Sequence, residues 1–94
     1  MAAIFQLKIV TPHGIAFTGQ VRHARIPVEN GFVGVLAHHA PYVTSSAGGV
    51  LELDEPEGRK KTFRVGPGFF TVERNQASFL TESLQSESDS TRNG

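Results

Sequence analysis

Apolar and polar residues alternate from the start of the chain. Phe5, Leu7 and Ile9 fall on one side of an extended segment and Gln6 and Lys8 on the other, the period of two that marks a half-buried strand. Thr11-Pro12-His13-Gly14 then supplies a turn, because Pro fixes φ and Gly accepts unusual dihedrals. Residues 15–17 return as a short strand closed by Thr18-Gly19. Residues 21–26 predict a third, ended by Pro27, which cannot donate to a ladder. Val28-Glu29-Asn30-Gly31 reads as a loop finishing in an Asn-Gly hairpin signal. Residues 32–36 are apolar at nearly every position, which suits a strand covered on both faces or one that faces a partner.

The second half repeats the pattern. Residues 42–46 are extended, and Ser46-Ala47-Gly48-Gly49 turns the chain. Residues 50–53 and 61–65 form the arms of a hairpin with Leu51, Leu53, Phe63 and Val65 inward. Its charged tip is Asp54-Glu55-Pro56-Glu57-Gly58-Arg59. Gly66-Pro67-Gly68 precedes a strand over residues 69–73, and Arg74-Asn75-Gln76 precedes one over 77–80. Nine short strands separated by turn signals, with no sustained helical period, predict a sandwich or a barrel. From Glu82 the character changes to Ser, Glu and Asp, with Leu84 as the one large apolar residue. Too little surface can be buried there to offset ordering entropy. Residues 1–82 are therefore expected to form the domain and residues 83–94 a disordered, flexible polar tail, whose removal should leave the melting temperature nearly unchanged.

Composition narrows the function. The 94 residues suffice for one domain, and nine basic residues balance nine acidic ones. Nucleic-acid binders carry a marked basic excess, so that class is set aside. Cysteine is absent, which excludes disulfides, thiolate metal sites and thiol nucleophiles. No signal peptide is visible at the N-terminus. Residues 30–51 contain no Lys, Arg, Asp or Glu, yet their Gly, Pro, His and hydroxyl content is incompatible with a membrane span. Phe32 and Tyr42 in this stretch add more apolar surface than one sandwich interior hides, and such an excess marks a protein interface.

Candidate chemistry is sparse. His38 and His39 are adjacent, so in an extended chain they point to opposite faces and cannot easily share an ion. His13 lies in a turn and His23 in a strand, with nothing fixing their distance. Asp54 sits in the hairpin tip and Asp89 in the tail, where neither could orient a buried imidazole. Gly66-Pro67-Gly68 lacks the third glycine and the helix of a dinucleotide fingerprint. Glu52, Glu55 and Glu57 read as solvated carboxylates that keep the hairpin soluble. The chain is thus expected to be non-catalytic, with no metal and no cofactor.

One family fits these residues. Leu7-Lys8-Ile9-Val10-Thr11-Pro12 followed by Phe17-Thr18-Gly19-x-Val21 resembles the opening of the epsilon subunit of the rotary F-type ATP synthase. Gly31-x-x-Gly34-Val35-Leu36-x-x-His39-Ala40-Pro41-x-x-Thr44 resembles its most recognisable stretch. Gly49-Val50-Leu51 and Gly68-Phe69-x-x-Val72 continue the likeness in order, over residues 5–82. Ala37 and His38 stand where the family often has Pro-Gly, Phe32 where an acidic residue is common, and Pro67 where Gly is common. The family's C-terminal pair of helices has no counterpart in this sequence.

The resemblance implies an all-β fold, an antiparallel β-sandwich of about ten strands. It implies a central-stalk rotor subunit that bridges the gamma subunit and the membrane c-ring, coupling ion translocation to ATP synthesis. By position, His39, Ala40, Pro41, Tyr42 and Val43 are the expected gamma-side contacts. Pro27, Val28, Glu29, Asn30, Gly31 and Phe32 are the expected c-ring contacts, with Glu29 available to a basic c-ring loop. No ATP binding and no direct membrane insertion are expected. The implied location is peripheral, on the cytoplasmic face of the bacterial inner membrane. The competing readings are a free-standing β-sandwich module that binds a ligand or a protein, which an enclosed pocket would favour, and a minimal metal-dependent enzyme using the histidines.

Overall fold

The computed structural model describes residues 3–90, and of residues 88–90 the backbone only. Ten strands follow one another: β1 (Phe5–Thr11), β2 (Gly14–Val21), β3 (His23–Val28), β4 (Gly31–Leu36), β5 (Tyr42–Ser46), β6 (Gly49–Asp54), β7 (Lys60–Val65), β8 (Gly68–Glu73), β9 (Gln76–Thr81) and β10 (Leu84–Ser90). They form two five-stranded sheets. The first has the order β2-β1-β9-β8-β5 and the second β10-β7-β6-β3-β4. The expected ten-stranded sandwich is present. Neighbouring strands run antiparallel except β1 and β9, which are parallel and register Leu7 with Ala77 and Ile9 with Phe79.

The core follows from alternation. Phe5, Leu7 and Ile9 of β1 are buried, as are Leu51, Leu53, Phe63 and Val65 of the β6–β7 hairpin. Phe70 and Phe79 meet at 6.4 Å between ring centroids, a tilted pair of the kind aromatic quadrupoles favour. The turn Glu29-Asn30 joins β3 to β4, with Val28 opposite Gly31. Gly31 has φ +137°, a conformation that glycine adopts without steric cost.

Three sequence expectations are corrected. Thr18-Gly19 does not close the second strand, which runs through both residues to Val21, paired along its length with β1. Pro27 does not end β3, which runs on to Val28. The ladder between β3 and β6 stops at Arg25 and Glu52. Beyond that point Pro27 pairs only with Phe32 of β4, so its missing N–H interrupts no second ladder.

The tail expected to be disordered from residue 83 instead forms β10 through Ser90. This strand lies antiparallel along β7, from Leu84 opposite Val65 to Ser90 opposite Lys60. Leu84 packs against the core, and Arg64 meets Glu87 at 3.1 Å. The composition argument counted only side-chain burial. An edge strand is also held by backbone hydrogen bonds, which every residue except Pro can both donate and accept. Residues 91–94 of the expected tail lie outside the described residues.

Registry sorts the turns to two ends of the sandwich. The Pro12-His13, Glu29-Asn30, Ala47-Gly48, Gly66-Pro67 and Glu82-Ser83 turns share one end. The β4–β5 connection, the β6–β7 tip and the Arg74-Asn75 turn share the other.

Candidate functional site

The residues with expected roles fall into two groups at opposite ends. Residues 27–32 form the β3–β4 hairpin end. Pro27 is buried and Val28 packs against the core, whereas Glu29, Asn30, Gly31 and Phe32 are exposed. Phe32 is half exposed and carries the Arg25 guanidinium 4.0 Å from its ring centroid, a cation–π contact. Arg25 also reaches Glu52 at 3.8 Å. The Glu29 carboxylate accepts a hydrogen bond from the Ser45 hydroxyl at 3.3 Å, which ties the hairpin tip to β5.

Residues 39–43 leave the other end of β4 and enter β5. The His39 backbone N–H donates to the Leu36 carbonyl at 3.2 Å. The His39 ring Nδ1 lies 2.7 Å from the Ala40 carbonyl, which can only accept, so Nδ1 carries the proton. The same ring sits 5.8 Å from that of Tyr42. Tyr42 turns inward and packs on the core. Ala40 and Pro41 are exposed, and Val43 is 72% exposed on the outer face of the first sheet.

That outer face carries residues the sequence reading did not single out. Phe69 lies opposite Leu80, Leu80 opposite Val10, and Val10 opposite Ile15. The four form an apolar row across β8, β9, β1 and β2. Phe69, Leu80 and Ile15 are all exposed, although Phe70 beside Phe69 and Phe79 beside Leu80 are fully buried. A groove of about 550 Å³, lined by Val10, Pro12, Pro67, Phe69, Leu80 and Glu82 among others, runs along this row and is open to solvent. The signal in the sequence was the apolar doublet. Ile9-Val10, Tyr42-Val43, Phe69-Phe70 and Phe79-Leu80 each put one side chain in the core and the next outside, because successive strand residues face opposite ways.

Gly68 lets the row close up. A Cβ there would collide with the backbone carbonyl of Leu80 on β9, so only glycine permits this approach of β8 to β9.

The histidines do not converge. His13 is exposed in the β1–β2 turn at one end. His23 faces Asp54 at 3.9 Å, and His38 and His39 belong to the β4–β5 connection. Among the described residues no three His, Asp or Glu side chains could hold a metal ion together. No helix among them is long and apolar enough to cross a membrane.

What the fold defines is a β-sandwich whose exposed apolar residues gather along one sheet face and at the free edge strand of the other. Residues 4–87 match the family model described as ATP synthase, Delta/Epsilon chain, beta-sandwich domain, and the chain belongs to that family. An ATP synthase epsilon chain of Nitratiruptor sp. is 39% identical over 77 residues, covering 82% of this chain and 60% of the relative. The epsilon chain of Chlorobaculum tepidum is 36% identical over 80 residues, covering 85% of this chain and 91% of the relative. The chain thus spans about three fifths of the first relative's length and nearly all of the second's. The fold recurs in a chain of the Euglena gracilis mitochondrial ATP synthase OSCP/F1/c-ring assembly. The TM-score there is 0.84 at 24% identity, covering 92% of this chain and 55% of that one. It recurs again in the central stalk and c-ring structure of the Tetrahymena thermophila enzyme, with a TM-score of 0.71 at 12% identity.

Proposed function

We propose that this domain is a non-catalytic rotor piece of an F-type ATP synthase, seated between the gamma subunit and the c-ring so that both turn as one body. Membership of the delta/epsilon family supports the assignment. The observation that carries it is the apolar row of Phe69, Leu80, Val10 and Ile15 on the outer face of the first sheet, with Val43 exposed on the same face opposite Thr71. Monomeric proteins rarely leave such contiguous surface to water. Covering Phe69, Leu80, Ile15 and Val43 would contribute roughly 1–2 kcal/mol each before association costs.

In this reading gamma lies against that face and against residues 39–43, whose exposed members are Ala40, Pro41 and Val43. The c-ring meets the end of the sandwich where the β3–β4 hairpin turns, through the exposed tip Glu29, Asn30, Gly31 and Phe32. Glu29 is held by Ser45 and pairs with no cation among the described residues, so a basic c-ring loop could still reach its second oxygen. Phe32 adds an apolar contact. Mechanically the sandwich transmits torque because two packed sheets resist shear, a property of a close-packed core. The location follows from the partners: peripheral, at the cytoplasmic side of a bacterial inner membrane.

Purified chain mixed with purified gamma is the direct test. A one-to-one complex at micromolar concentration is expected, and its absence would overturn the reading. The rival reading, a free-standing ligand-binding module, called for an enclosed pocket. The groove beside Phe69 and Leu80 lies open along the sheet, which favours a protein surface as its cover.

A further inference from the structure

The segment leading into residues 39–43 is held from outside its own hairpin. His38 has φ +66°, the left-handed region that side chains with a Cβ rarely adopt. Such a conformation persists only where surrounding groups determine it. Two groups hold it: the Leu36 carbonyl, which accepts from the His39 N–H at 3.2 Å and closes the turn around Ala37 and His38, and a side chain on another hairpin. The His38 backbone N–H donates to the Asn75 side-chain Oδ1 at 2.6 Å, across 37 residues of sequence.

Asn75 is itself fixed. It is the second residue of the β8–β9 turn, where Arg74 has φ +54° and Asn75 φ +60° and Glu73 pairs with Gln76. Two left-handed residues in a two-residue loop make the tight turn that antiparallel strands favour, and asparagine suits it. The Asn75 carbonyl accepts from the Gln6 N–H at 2.9 Å. One residue therefore joins the start of β1, the β8–β9 turn and the exit of β4, with its backbone serving the first and its side chain the last.

We propose that Asn75 is a positioning residue for the docking segment: its carboxamide oxygen locks His38 in the left-handed conformation and so sets the direction in which His39, Ala40 and Pro41 leave β4. The proposal rests on the reading of that segment as a gamma contact. The lock acts on direction because the residue after a left-handed turn is aimed by it. His39 then closes its own hydrogen bonds to Leu36 and Ala40 and places its ring beside Tyr42. Without the Asn75 oxygen the His38 N–H loses its partner, and only the turn bond from His39 to Leu36 still favours the left-handed state.

The test uses two variants of the whole chain. Asn75→Gly keeps the left-handed turn and the backbone carbonyl but removes the acceptor, while Asn75→Asp keeps an acceptor oxygen in place. Amide hydrogen exchange is read by NMR on the isolated protein. Asn75→Gly should speed exchange at His38 about tenfold or more and leave Gln6 protected, since Gln6 bonds to the backbone. Asn75→Asp should restore His38 to near its original rate. Binding to gamma should fall about fivefold in Asn75→Gly and recover in Asn75→Asp.

Unchanged exchange at His38 in Asn75→Gly overturns the proposal whatever gamma does. Faster exchange with undiminished gamma affinity overturns it too, because the segment's direction then does not matter to docking. If the original chain itself fails to bind gamma, the functional reading falls, and with it the docking role claimed for Asn75.

Discussion

The outer faces of the two sheets are built from the same alternation and end up chemically unlike. The exterior of the second sheet is dressed with ion pairs: Arg25 with Glu52 at 3.8 Å, Lys60 with Asp54 at 2.7 Å and Arg64 with Glu87 at 3.1 Å. At the end of the first sheet that holds the groove, the exterior presents Phe69, Leu80, Val10 and Ile15 in one register row. Both sheets cover the same core, so the demands of core packing do not explain the contrast. A face meant for water needs charge for solubility, and the second sheet has it. A face meant for a partner avoids charge at its centre, where desolvation costs most, and the row at the groove end of the first sheet does so, while Lys8 and Glu73 lie farther along that face. The exception on the second sheet is its edge strand β4, where Phe32 and Leu36 are exposed, and β4 flanks both proposed contact segments.

The largest expected effect falls on the fold beneath the row. Gly68→Ala would drive a methyl group into the Leu80 carbonyl, forcing β8 off β9. A loss of about 3 kcal/mol or more is expected, measured by urea unfolding, and a loss under about 1 kcal/mol would refute the close approach. Next comes a charge on the row itself. Phe69→Asp should weaken gamma binding by about a hundredfold while moving the melting temperature by only a few degrees, because Phe69 is 58% exposed. If binding survives, the row is not the docking face.

Removing residues 83–94 probes the other sheet. The deletion strips β10 from the edge of β7 and takes Leu84 off the core. A loss of about 2 kcal/mol, or roughly 10 °C, is expected for a chain this short, with gamma affinity little changed. Calorimetry showing no shift would mean that β10 adds nothing to the sandwich and that the composition-based expectation was right.

Most of the architecture was legible because burial in strands obeys a period of two. Nine of the ten strands and the inward set Leu51, Leu53, Phe63 and Val65 could be read from alternation. β10 could not, since Gln85, Ser86 and Glu87 advertise no core and the strand is held through its backbone. The site was legible only in part. The uncharged run from Asn30 to Leu51 pointed to Phe32 and Tyr42 as surplus apolar surface; Phe32 is exposed, but Tyr42 packs on the core, and the exposed Leu36 was not singled out. The row of Val10, Ile15, Phe69 and Leu80 was hidden because its members come from four strands, and only the pairing of β1 with β9 brings them together. The left-handed His38 was invisible for a similar reason, as its partner Asn75 lies on a different hairpin.

The smallest effect is the sharpest control on the contrast between the faces. Arg64→Ala breaks the ion pair with Glu87, whose side chains are 56% and 39% exposed. Exposed pairs gain little because water screens the attraction and ordering two long side chains costs entropy. A stability change under about 0.5 kcal/mol is expected, with no measurable change in gamma affinity at any salt concentration. Phe69→Asp and Arg64→Ala each alter one outward position on neighbouring layers of the same sandwich. If both weakened gamma binding alike, the partner would have to reach around both sheets. If only Arg64→Ala did, the ion-paired face would be the one that docks.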